Sequence, residues 1–137
     1  MTMTTAVYPT RPQMEALLAG PDDGPVVMVN LLRFKPKASE PDADVSGEDA
    51  YARYSDRMLE FIGARGARVI WTGKIETQVM GTGAEEFHTV ALVEYPSRRV
   101  FFEIATDPYV QEIGLHRAAG LEGQWLLAAR AMDGSRP

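Results

Sequence analysis

A small set of residues in this 137-residue sequence could carry chemistry: two histidines, one mid-strand amide, an arginine beside a histidine and a spaced pair of tyrosines. His88 and His116 are the sole histidines, and imidazole is the side chain best poised to move a proton near neutral pH. Arg117 follows His116, and its planar fork can hold a carboxylate through two parallel hydrogen bonds. The simpler account of that pair is two cations complementing the C-terminal end of a helix dipole. Asn30 stands inside VVMVNLLRF on the parity of Val26, Met28, Leu32 and Phe34, which marks a buried position. A buried amide left without partners costs about 1–3 kcal/mol. Asn30 is therefore either satisfied by backbone or water in the core, or faces a pocket and stabilises an oxyanion. Tyr54, with Tyr51, shares one stripe of a helix, and Trp71 shares the apolar parity of its strand. Such aromatics are core, or they line a cavity into which the hydroxyls point. The expected site gives proton transfer to His116 and oxyanion stabilisation to Asn30. Tyr54, Trp71, His88 and Arg117 contact the ligand.

Other chemistries lose support. There is no cysteine, so thiolate zinc sites, iron–sulfur clusters, disulfides and cysteine nucleophiles are excluded. Asp42-x-Asp44-x-Ser46-Gly47 copies the first half of a calcium loop, but Arg53 stands where the bidentate glutamate belongs. Gly73-Lys74 is followed by Ile75 in place of the hydroxyl residue of a phosphate loop. No metal or cofactor is expected. Fourteen Lys and Arg against nineteen Asp and Glu give a net charge of −5, unlike a nucleic-acid or anionic-membrane surface. No stretch approaches the ~18 apolar residues of a membrane span, and a cytoplasmic protein is expected.

The elements that must position these residues can be read along the chain. A helix over Pro12–Ala19 is capped by Thr10, and Val26–Phe34 is a strand. An acidic, proline-containing loop over 35–47 leads to Ser46, the cap of a helix with Tyr51, Tyr54, Met58, Phe61 and Ile62 on one stripe. A long strand over Ala67–Met80, a Gly81-Thr82-Gly83 turn and a strand over Phe87–Tyr95 follow. Ser97 caps the next helix, Asp107-Pro108 interrupts and restarts it, and a last strand spans Gln124–Met132. The sequence is one domain: an N-terminal helix and linker over 1–24, a core over 25–132 and a tail over 133–137. The core order β-α-β-β-α-β predicts an α+β fold of ferredoxin-like form, a four-stranded antiparallel sheet with two helices on one face.

A sheet covered on one face should alternate apolar and polar residues, yet VVMVNLL, VALV and WLLAA are apolar on both parities. A second cover is required. The expectation is a homodimer with two sheets packed face to face; the alternative is the N-terminal helix wrapped over the second face.

Six segments together resemble one family: VVMVNLLRFK, the Tyr51-x-x-Tyr54 helix, ARGARVIWTG, VALVEYPSR, the DPYVQ break and HRAAGLEGQWLLA. It is domain of unknown function 1330, of the dimeric α+β barrel superfamily, and the likeness runs from about Pro25 to Ala131. The resemblance implies the same protomer and sheet-to-sheet dimer, and places Asn30, Tyr54, His116 and Arg117 in a pocket. It supplies no activity. The expected function is binding of a small organic molecule between sheet and helices, with cofactor-independent acid/base chemistry on a carbonyl, enol or phenol. The rivals are a haem- or ligand-binding sensor without catalysis and a purely structural dimer.

Overall fold

The computed structural model describes residues 4–132; the expected tail lies outside them. Eight elements follow in order: α1 (Arg11–Ala19), β1 (Val26–Phe34), α2 (Gly47–Gly63), β2 (Arg68–Lys74), β3 (Thr89–Tyr95), α3 (Arg98–Ala105), α4 (Pro108–Gly120) and β4 (Leu121–Ala129). The strands form one antiparallel sheet in the order β2-β3-β1-β4, the ferredoxin-like arrangement.

Local chemistry sets most boundaries. The Thr10 hydroxyl accepts from the Gln13 amide while the Gln13 side chain returns to the Thr10 amide, a capping box that starts α1. Ser46, Ser97 and Asp107 accept from Asp49, Val100 and Tyr109 amides and start the other three helices. Pro108 takes the first turn of α4, where its missing N–H is no loss. α4 passes directly into β4 at Gly120, and Gly120 and Gly47 let α4 and the start of α2 cross at backbone contact. A Cβ on Gly120 would stand 2.3 Å from the Gly47 carbonyl oxygen.

The core lies between the sheet and the helices. Val26, Met28 and Tyr95 of the sheet meet Ile62, Ile104 and Val110, with Leu17 of α1 packed beside them. Each such side chain contributes roughly 1.5–3 kcal/mol on leaving water. α1 lies against α3, where Arg98 Nη1 donates to the Leu17 carbonyl at 3.0 Å. It therefore leaves the other sheet face bare. That face carries Val27, Val29, Leu31, Val90, Leu92 and Leu127, with Leu127 53% exposed.

Three strands differ from expectation: β4 runs Leu121–Ala129 rather than Gln124–Met132, and β2 and β3 are both shorter. β2 ends at Lys74 and β3 begins at Thr89, so Ile75–His88 forms a long connection. Alternation alone cannot make a strand without a partner: pairing stops at Lys74–Thr89, and the His88 amide bonds the Leu32 carbonyl. Val79 and Met80 consequently stand 88% exposed. Within β2 a register shift between Val69 and Trp71 breaks the parity. Val69 pairs with Val93 on the helix side, but Trp71 pairs with Leu92 and turns to the bare face, 56% exposed.

Candidate functional site

Asn30 is fully bonded within the protein. Its Nδ2 donates to the carbonyls of Ala91 (3.1 Å) and Met28 (3.3 Å), and its Oδ1 accepts from Gln124 Nε2 at 2.8 Å. Both amide hydrogens are therefore in use, leaving none for the oxyanion expected there. Gln124, itself buried, passes the connection on: its Oε1 accepts from Arg117 Nη2 at 2.5 Å. This relay from sheet to helix fixes the direction of Arg117 and gives Asn30 a positioning part.

Tyr51 and Tyr54 of α2 lie beside this arginine, 5.4 Å apart between ring centroids. Burial pushes both phenols up from their ordinary range, and the Arg117 charge pulls the other way without cancelling it. Tyr95 is raised by burial too, with Tyr54 and Tyr51 close enough to add to the effect. All three are neutral phenols at pH 7, with O–H groups able to donate. Neither Tyr51 nor Tyr54 has a hydrogen-bond partner for its hydroxyl among the described residues, and no buried side-chain polar atom there lacks one. Both hydroxyls thus reach accessible space. The Tyr8 ring, 5.8 Å from the Arg117 guanidinium carbon, stands on the outer side. An Ala6–Gln124 bridge along the β4 edge holds that N-terminal segment in place.

His116 faces a second cluster. Its Nδ1 lies 2.7 Å from Asp42 Oδ2, and Arg53 Nη1 donates to Asp42 Oδ1 at 2.5 Å. Arg53 Nη2 reaches Asp44 Oδ2 at 3.3 Å. The aspartates of the incomplete calcium motif are thus neutralised by the residue that disqualified it. Burial raises Asp42, but the His116 and Arg53 hydrogen bonds and charges outweigh it and hold the carboxylate below the usual range. An ionised carboxylate only accepts, so Nδ1 carries a proton directed at Asp42. Among the described residues, no group of three or more acidic or imidazole side chains could hold a metal ion.

The remaining expected residues lie apart. His88 Nδ1 accepts from the Phe34 amide at 3.0 Å, and its ring stacks on Phe34 at 5.7 Å, from which Tyr51 is 5.5 Å away. His88 therefore ends an aromatic row whose other end is Tyr54. Trp71 is on the opposite sheet face. The structure brings together Asn30, Tyr54 and Arg117, and places His116, His88 and Trp71 elsewhere. Sequence reading did not single out Gln124 or Asp42 for this purpose, because their partners are distant in sequence. Two surface clefts, of 70 Å³ beside Arg33 and Phe87 and 350 Å³ beside Arg65 and Asp107, border neither cluster.

The family model described as domain of unknown function (DUF1330) matches residues 42–131, well over half of the chain. The chain belongs to the DUF1330 family. The match takes in both clusters apart from Asn30 and Tyr8. This DUF1330 chain is 32% identical to the protein of unknown function RPA0582 from Rhodopseudomonas palustris, with a TM-score of 0.86 over 94% of this chain and 98% of that one. It is similar in fold to a dabb family protein with a ferredoxin-like fold from Mesorhizobium loti: TM-score 0.51, 13% identity, 80% of this chain and 99% of that one. A dimeric protein of unknown function and ferredoxin-like fold from Bacteroides fragilis gives a TM-score of 0.50 at 16% identity, over 78% of this chain and 96% of that one. Comparison with curated proteins gives no match. No helix among the described residues is long and apolar enough to cross a membrane.

Proposed function

We propose that this DUF1330 protein binds a small organic molecule in the space between α2, α4 and the sheet, where Tyr51, Tyr54 and Arg117 meet. One observation carries the reading: two phenol hydroxyls reach accessible space without a protein partner, beside an arginine braced through Gln124 and Asn30 to the sheet. The test is fluorine NMR on protein carrying 3-fluorotyrosine, titrated with a library of small polar and apolar fragments. Resonances of Tyr51 and Tyr54 shift, while that of Tyr109, packed on Phe61, stays. A library that leaves both site tyrosines unmoved overturns the reading.

A second reading rests on the His116–Asp42 pair. A buried carboxylate that fixes the Nδ1 proton orients the ring so that Nε2, in the neutral imidazole, can act as a general base, the orientation that acid/base catalysis on a carbonyl, enol or phenol needs. His116→Ala then abolishes turnover of such a compound and leaves the fold intact; unchanged turnover removes His116 from the chemistry. Self-association through the bare sheet face belongs to the same proposal. It is supported by the apolar residues on that face and by the dimeric Bacteroides fragilis protein of like fold.

A further inference from the structure

We infer that the site is selective for a small organic acid, with Arg117 as the seat of its carboxylate. This rests on the reading of the α2–α4–sheet space as a small-molecule site and names its ligand class. Arg117 is part-buried, and no carboxylate lies within ion-pair distance of it among the described residues. Arg53, by contrast, is matched by Asp42 and Asp44, and Arg68 by Glu94. A guanidinium has five N–H donors, and among the described residues the one bond it makes is to Gln124 Oε1, a neutral acceptor. The guanidinium nitrogens that no protein group bonds are not buried, so an incoming anion can replace water on them and supply the counter-ion that the protein does not.

The neighbours favour a carboxylate. Tyr51 and Tyr54, kept as neutral phenols by burial, offer O–H donors to an oxygen anion and none of the charge that would repel it. The Gln124 brace aims the guanidinium, so less freedom is lost when two parallel hydrogen bonds form. The body of the ligand meets aromatic surface, the Phe34–Tyr51–Tyr54 row on one side and Tyr8 on the other. An aromatic or apolar acid fits that lining, and a strongly hydrated anion such as sulfate does not.

The experiment compares two isosteric pairs, benzoate with benzamide and hexanoate with hexanamide, by titration of 3-fluorotyrosine-labelled protein at pH 7. In each pair the acid shifts Tyr51 and Tyr54 and binds at least tenfold tighter than the amide. Arg117→Gln erases that preference, and Arg117→Lys keeps part of it. Thermal melting checks that both variants fold; if Arg117→Gln does not, the acid–amide ratio in the wild type and the Lys variant decides. Acid and amide binding equally at the tyrosines overturns the acid selectivity and leaves the small-molecule site standing. A preference that survives Arg117→Gln overturns the assignment to Arg117. Silence of both tyrosines towards all four probes, and towards the fragment library, overturns the inference and the site together.

Discussion

His116 Nδ1 stands 2.7 Å from Asp42 Oδ2, joining α4 to a loop residue 74 positions earlier in the chain. Asp42 is 1% exposed, and its second oxygen is taken by Arg53 of α2. One carboxylate thus clasps the irregular 35–47 segment to two helices.

Asp42→Asn removes the charge from both bonds and lowers stability at pH 7 by about 1–3 kcal/mol. The pH dependence has a definite sign. The folded-state pKa of Asp42 is depressed, so its contribution is present above the unfolded aspartate pKa of about 4 and is lost as pH falls through the folded value. Urea denaturation of both proteins from pH 7 down to pH 2 shows the gap closing below about pH 4. A gap that stays constant across that range rules out Asp42 as the titrating clasp.

The crossing of α2 and α4 predicts a contrast between two glycines of one helix. Gly120→Ala drives a methyl to 2.3 Å from the Gly47 carbonyl oxygen, backbone that cannot rotate away, and costs about 1–3 kcal/mol or more. Gly114→Ala meets nothing within 4 Å and gains up to about 1 kcal/mol in helix propensity. Thermal melts should move in opposite directions; a Gly120→Ala protein as stable as wild type removes the close crossing.

These relationships show why part of the molecule was legible in its sequence. Ser46, Ser97 and Asp107 act on amides two or three residues away, so their helices could be placed from local pattern. β1 was legible because Val26–Phe34 pairs on both sides and needs apolar residues throughout. Trp71 was not, since one extra residue in β2 reverses every later side chain and leaves no mark on composition. The helix-side parity of Asn30 could be recognised from the strand, although the residue is part-buried rather than buried, but its full set of internal bonds could not, because its partner Gln124 lies 94 residues away. The tyrosine stripe was visible as a helix face. Its gathering around Arg117 depends on how α4 crosses α2.

The relay predicts strong coupling between its members. Gln124→Leu leaves Asn30 Oδ1 without its donor and Arg117 without its acceptor, at about 1–3 kcal/mol. Adding Asn30→Leu removes the stranded amide and recovers part of that loss, because replacing both partners by apolar groups can be nearly neutral. A double-mutant cycle measured by denaturation yields an interaction energy of about 0.5–3 kcal/mol. Additive losses mean that the two amides do not act as one unit.

The bare sheet face predicts the assembly. Leu127 pairs with Val29 across the sheet, and Val29 in turn pairs with Leu92 on that face, so Leu127→Glu places a charge where a facing sheet would exclude water. A stable interface takes roughly 800 Å² from each partner, and a four-stranded face can provide it. Sedimentation of the wild type at micromolar concentration gives a dimer, and Leu127→Glu gives a monomer. Leu115→Glu, at a residue exposed on α4, leaves the dimer whole. Trp71 supplies an independent readout in a Trp125→Phe background, which removes the other indole: its emission is shifted to the blue in the dimer and moves to the red on Leu127→Glu, since the protomer alone leaves it 56% exposed. A wild type that sediments as a monomer, or a Leu127→Glu protein that stays dimeric, removes this face from the assembly.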